Sequence, residues 1–86
     1  MRMNLNHSIA LYIDETMAVK VAELFATLAD PSRVRIIAAL TNGEMHVSAL
    51  AAAVGNSESA VSHHLRHLRQ KRMVRTHKDG RYVFYM

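Results

Sequence analysis

The sequence predicts a mostly α fold with a β-hairpin wing, a winged helix-turn-helix, and three features carry that prediction. Apolar residues recur at helical spacing through the first two thirds of the chain. Two short helical segments meet at Gly55-Asn56. After Lys71 the apolar period changes from helical to alternating, with Lys78-Asp79-Gly80-Arg81 at its centre. At 86 residues the chain reads as a single domain over 1–86, with the helix-turn-helix at about 48–71 and the wing at about 73–86. A chain of this length buries roughly 60 to 65% of its unfolded surface, so its core is modest and a partner surface adds to it.

Met17, Val21, Leu24, Phe25 and Leu28 form the stripe of an amphipathic helix over about 14–29. Asp30-Pro31 then reads as an N-cap followed by proline in a first turn, opening a second helix. That helix carries Val34, Ile37, Ala38 and Leu40 and stops at Asn42-Gly43. A loop holding Glu44, Met45 and His46 follows. Ser48 is expected to cap a third, short helix, ALAAAV, which Gly55 ends. Ser57 is placed to cap a fourth, with Val61, Leu65 and Leu68 on one stripe. Val74 and Thr76, then Val83 and Tyr85, alternate with more polar neighbours on either side of Asp79-Gly80, which predicts a hairpin with a tight two-residue turn.

Composition narrows the function. With no cysteine there is no disulfide framework, no thiolate metal site and no cysteine nucleophile. No run of 18 apolar residues exists, so no membrane span is expected. The opening MRMNLNHSIALYIDE is too short and interrupted in its apolar part for a secretory signal, and a cytoplasmic protein is expected. The net charge of +4 is unevenly distributed. Arg66, Arg69, Lys71, Arg72, Arg75, Lys78 and Arg81 face only Glu58 and Asp79 in the last third, whereas acids slightly outnumber bases before it. A basic end of this kind suits a polyanion, most simply nucleic acid, or else is a solvated charged face.

The fourth helix favours nucleic acid. Advancing about 100° per residue from the stripe of Val61, Leu65 and Leu68, the opposite face presents Ser59, His63, Arg66 and Gln70, flanked by Ser62 and His67. Small hydroxyls allow close approach, and the donors behind them reach base edges or phosphates. Ser57 either caps the helix or joins that set. Arg75, His77, Lys78 and Arg81 are expected near the hairpin tip, where a wing meets phosphates. His63 and His67 stand four apart, a metal-ligand spacing, but no carboxylate joins them and Arg66 and Arg69 repel a cation. No phosphate loop, carboxylate pair or triad is present, so an enzyme is not expected.

LFATLADPSRVRIIAALTNGE, SALAAAVGNSESAVSHHLRHLR and VRTHKDGRYVFYM together resemble the ArsR/SmtB family of winged-helix, metal-responsive bacterial repressors, from about Leu24 to the last residue. The resemblance implies a cytoplasmic homodimer that holds a double-stranded DNA operator until an inducer loosens it. It places recognition contacts on Ser57, Ser59, Ser62 and His63, beside Arg66, Arg75, Lys78 and Arg81 from the charge pattern. Many members carry a cysteine pair in a segment like ELCVCDL, where this chain has GEMHVSAL with His46 and Ser48. A thiolate site for arsenite, cadmium or lead is thereby removed. Other members bind zinc, cobalt or nickel through a C-terminal helix that also builds the dimer. Here the sequence stops at Met86, where that helix would begin, so the sensor is expected in a longer form or built differently. Outside the DNA face, the donors for zinc, cobalt or nickel are His7, Asp14, Glu15, Glu44 and His46, and weak metal affinity is expected from them. The competing reading is a winged-helix protein-interaction module, whose docking face would more often show aromatic or aliphatic anchors.

Overall fold

Each helix start among the described residues is marked by a side chain that accepts an N–H of the first turn. A computed structural model describes residues 13–86. Asp14 accepts from the Met17 N–H at 2.8 Å and opens α1 (Glu15–Leu28). Asp30 accepts from the Arg33 N–H at 3.1 Å, with Pro31 in the first turn, and opens α2 (Pro31–Leu40). Ser57 accepts from the Ala60 N–H at 3.1 Å and opens α4 (Glu58–Gln70).

The start of α3 (Val47–Val54) corrects the expected cap. His46 takes that position, its Nδ1 accepting from the Ala49 N–H at 3.3 Å, and Ser48 lies inside the first turn with its Oγ 2.7 Å from the same nitrogen. The imidazole reaches the orphan N–H one turn ahead of it, so the helix begins at Val47, two residues earlier than a Ser48 cap allows. Gly55 ends α3 in the left-handed conformation, at φ +68°.

The segment expected as a loop contains a strand. β1 (Met45–His46) pairs with β3 (Tyr82–Tyr85), which pairs in turn with β2 (Thr76–Asp79), giving an antiparallel sheet of order β1-β3-β2 among the described residues. Two residues carry too little alternation to announce a strand; an unpaired edge of β3 recruits them. The hairpin turn also sits one residue later than expected. Asp79 pairs with Tyr82, leaving Gly80-Arg81 as the two-residue turn, with Gly80 at φ +63° in its first position. Arg75 and Met86 extend the ladder by exchanging N–H···O bonds of 2.9 and 3.0 Å.

Ile36 of α2, Leu50, Ala51 and Val54 of α3, Val61, Leu65 and Leu68 of α4, and Val74 form one buried cluster. Leu28, Ile37, Leu40, Met45, Val47 and Tyr85 pack around it. The stripe expected on α2 is rotated: Ile36 is the fully buried residue, while Val34 is 50% exposed and Ala38 faces solvent. The stripe expected on α1 is helical but not interior. Met17 is 49% exposed and Phe25 70%, with Val21 and Leu24 also outside, so α1 enters the described fold mainly through Thr27 and Leu28. No helix of the described residues is long and apolar enough to cross a membrane.

The C-terminus of α4 stores a small strain. Lys71 caps it, Arg72 N–H donates to the Arg69 carbonyl and Met73 N–H to the Leu68 carbonyl, both at 2.9 Å, the paired bonds of a Schellman motif. The position after the cap prefers glycine, and Arg72 holds it at φ +59°. Arg72→Gly is therefore expected to stabilise the fold by about 0.5–1 kcal/mol, read as a raised urea midpoint. An unchanged or lowered midpoint contradicts the strain assignment.

Candidate nucleic-acid interface

Burial of Val61, Leu65 and Leu68 turns the opposite side of α4 outward. Ser59, Ser62, His63, Arg66 and Gln70 are all exposed there, as the helical projection predicts. Ser57 is exposed as well, and it caps the helix, so its oxygen accepts the Ala60 N–H and its hydroxyl hydrogen remains to donate. An open groove between α4 and β3 is lined by Ser62, Leu65, Arg66, Arg69, Gln70 and Tyr85.

The wing matches expectation at its tip and departs from it at its base. Lys78 and Arg81 are exposed at or beside the turn, with the Arg81 guanidinium 5.5 Å from the centre of the Tyr82 ring. Arg75 is exposed too but pairs with Met86 at the open end of the ladder, five residues before Gly80, roughly 16 Å from the tip. His77 is drawn to the outer face of the sheet. Its Nδ1 lies 3.0 Å from a Glu44 carboxylate oxygen and its ring stacks on Phe84 at 5.6 Å. Only Lys78 and Arg81 of the four expected residues thus gather at the tip. Arg75 instead lines a second groove with Arg69 and Arg72. The spacing of Arg69, Arg72 and Arg75 at every third residue is the signal that the sequence offers for this groove.

The three histidines of α4 have three different settings. His63 is exposed, while His67 and His64 are half-buried. The His63 and His67 rings meet edge to face at 4.8 Å. His64, which the pattern of outward residues passes over, accepts a hydrogen bond at Nδ1 from Arg33 Nε at 3.1 Å. Its position was legible only as a polar residue within roughly 60° of Val61 on the helical projection, at the margin of the apolar stripe.

Partial burial holds the His67 imidazolium below its ordinary value of 6.5, and the nearby charges of Arg33, His63, His64 and Arg66 push in the same direction. His67 is therefore neutral at pH 7. A neutral imidazole at His67 can donate at one ring nitrogen and accept at the other.

The metal-ligand candidates are not brought together. Asp14 caps α1, Glu15 follows it, Glu44 is engaged by His77 and His46 caps α3. Among the described residues no group of three or more His, Cys, Asp or Glu is placed to hold a metal ion, and His7 lies outside the described residues.

Residues 30–76 match the sequence pattern of the family described as bacterial regulatory protein, arsR family. The chain is 53% identical over 68 residues to the transcriptional repressor SmtB homolog of Synechocystis sp., covering 79% of this chain and 52% of that protein. It is 46% identical over 65 residues to the HTH-type transcriptional regulator KmtR of Mycobacterium tuberculosis, covering 76% and 50%. The crystal structure of NolR from Sinorhizobium fredii superposes with a TM-score of 0.75 at 32% identity, covering 99% of this chain and 78% of that one. The chain spans about half the length of the curated relatives it matches.

The lowered His67 value has a sign that can be tested. A histidine that resists protonation in the fold contributes stability above its unfolded value of 6.5, and that contribution is lost as pH falls through the lower folded value. Urea titrations across this range should show the wild type losing stability on acidification more steeply than His67→Gln. Parallel losses would assign the acid sensitivity to other groups.

Proposed function

The chain belongs to the arsR family of bacterial regulatory proteins, and from that premise we propose that it is a cytoplasmic transcriptional repressor that binds operator DNA as a homodimer. The outer face of α4 carries this reading. It joins small hydroxyls at Ser59 and Ser62 to His63 and Arg66, all exposed, on a helix whose opposite side is locked into the core. A helix with this outer face enters a major groove and offers donors to base edges, while Lys78 and Arg81 at the wing tip meet phosphates. The face has no aromatic or aliphatic anchor of the kind a protein-docking helix presents.

The homodimer is supported by α1, where Met17, Val21, Leu24 and Phe25 form an exposed apolar stripe that a second copy would cover. Release by a metal ion is part of the proposal. With no cysteine, the donors are imidazoles and carboxylates, which suit zinc, cobalt or nickel.

A duplex selected from a random pool by the wild-type chain provides the test. Fluorescence anisotropy should show affinity falling steeply between low and physiological salt as condensed counterions are released. His63→Ala should lose roughly tenfold on the selected duplex and little on a scrambled one, as loss of a base contact does. Arg81→Ala should weaken both duplexes alike and lower the salt slope by about one. A flat salt response, or equal losses for His63→Ala on both duplexes, contradicts this assignment of roles.

A further inference from the structure

The outer face of α4 can read a groove only at the angle at which α4 is held. The apolar core fixes the face that α4 shows, and a polar contact from α2 helps to set that angle. Arg33 joins three parts of the fold. Its backbone N–H donates to Asp30 at 3.1 Å, its Nη1 donates to the Thr27 carbonyl at the end of α1 at 3.2 Å, and its Nε donates to His64 on α4 at 3.1 Å. The guanidinium is planar and its donors diverge at fixed angles, so anchoring Nη1 on α1 aims Nε at one point on α4. His64 occupies that point, next in sequence to His63 on the outward face.

We propose that Arg33 is a positioning residue for operator recognition, acting through His64, and that protonation of His64 releases the recognition helix from this hold. The proposal deepens the DNA-binding reading and rests on it. Arg33 has only donors, so His64 must accept with an unprotonated Nδ1 and carry its hydrogen on Nε2. An imidazolium has two donors and no acceptor, so the bond to Arg33 is lost and a like-charge repulsion takes its place.

Arg33 from α2, His63 and His67 along α4, and the Asp30 carboxylate at the cap of α2 are the charged and titratable groups near His64. Glu23 of α1 is engaged 3.5 Å from Lys71 at the far end of α4. Acidification therefore acts on α4 through His63 and His67 as well as through His64, where protonation frees the helix. Only the effect at His64 breaks the hydrogen bond from Arg33.

His64→Gln separates them, because a glutamine amide oxygen accepts from Arg33 without titrating. Wild type, Arg33→Met and His64→Gln are compared on the selected and scrambled duplexes at about pH 7.5 and about pH 5.5, a span across which imidazoles change charge. Arg33→Met is expected to lose roughly tenfold affinity on the selected duplex near pH 7.5 and little on the scrambled one, the factor that about 1.4 kcal/mol of contact represents. His64→Gln is expected to match the wild type near pH 7.5 and to bind several-fold tighter than it near pH 5.5. An equal Arg33→Met loss on both duplexes makes Arg33 a phosphate contact and overturns the proposal. A His64→Gln to wild-type affinity ratio that is the same at both pH values overturns it as well, and this ratio decides the matter if circular dichroism shows Arg33→Met unfolded. A wild type that binds neither duplex removes the DNA reading itself, and this proposal with it, whereas a binding wild type with a constant ratio removes this proposal alone.

Discussion

Burial of Val61, Leu65 and Leu68 in the cluster around Ile36 and Leu50 decides which residues α4 shows to solvent. A helix has one rotational freedom about its own axis, and three fully buried side chains on one stripe remove it. The part of recognition assigned to α4 follows from that constraint. Ser59, Ser62, His63 and Arg66 are outward because they lie opposite the stripe, and His64 meets Arg33 because it lies at the margin. Capping by Ser57 fixes where the helix begins, and so which hydroxyls stand in its first turn.

The same core leaves α1 largely outside. Its caps and propensity make it a helix, yet its apolar stripe finds no partner among the described residues. A surface of that kind links stability to association, since a second copy that binds only the folded chain stabilises it by mass action. In the proposed dimer two copies of α4 would face one duplex, which is how dimeric helix-turn-helix domains engage two half-sites. Fold stability and DNA affinity would then share one interface.

Signals that are local in sequence were legible. Asp30-Pro31, Gly55 and Ser57 each fix a helix boundary by short-range chemistry, and the structure uses all three. The outer face of α4 was legible for the same reason, because a helical projection needs only the stripe. Features that depend on distant partners were not. Met45-His46 becomes a strand only because β3 offers an edge some 40 residues later, and His46 displaces Ser48 as a cap because the sheet holds it there. The turn at Gly80-Arg81 is selected by pairing register rather than by the Asp-Gly pair. The stripe of α1 announced a helix but not what would cover it, since periodicity records that a face is apolar and not where its partner lies.

In the proposed complex the chain meets DNA through the outer face of α4 and the tip of the wing. Amide chemical-shift mapping of the isotope-labelled protein during titration with a selected duplex tests it most directly. The account predicts perturbations concentrated on Ser57–Gln70 and around Lys78–Arg81, with the base of the hairpin at Arg75 and the outer face of the sheet at His77 and Phe84 little changed. Perturbations centred on the outer face of the sheet, with α4 unmoved, would contradict it.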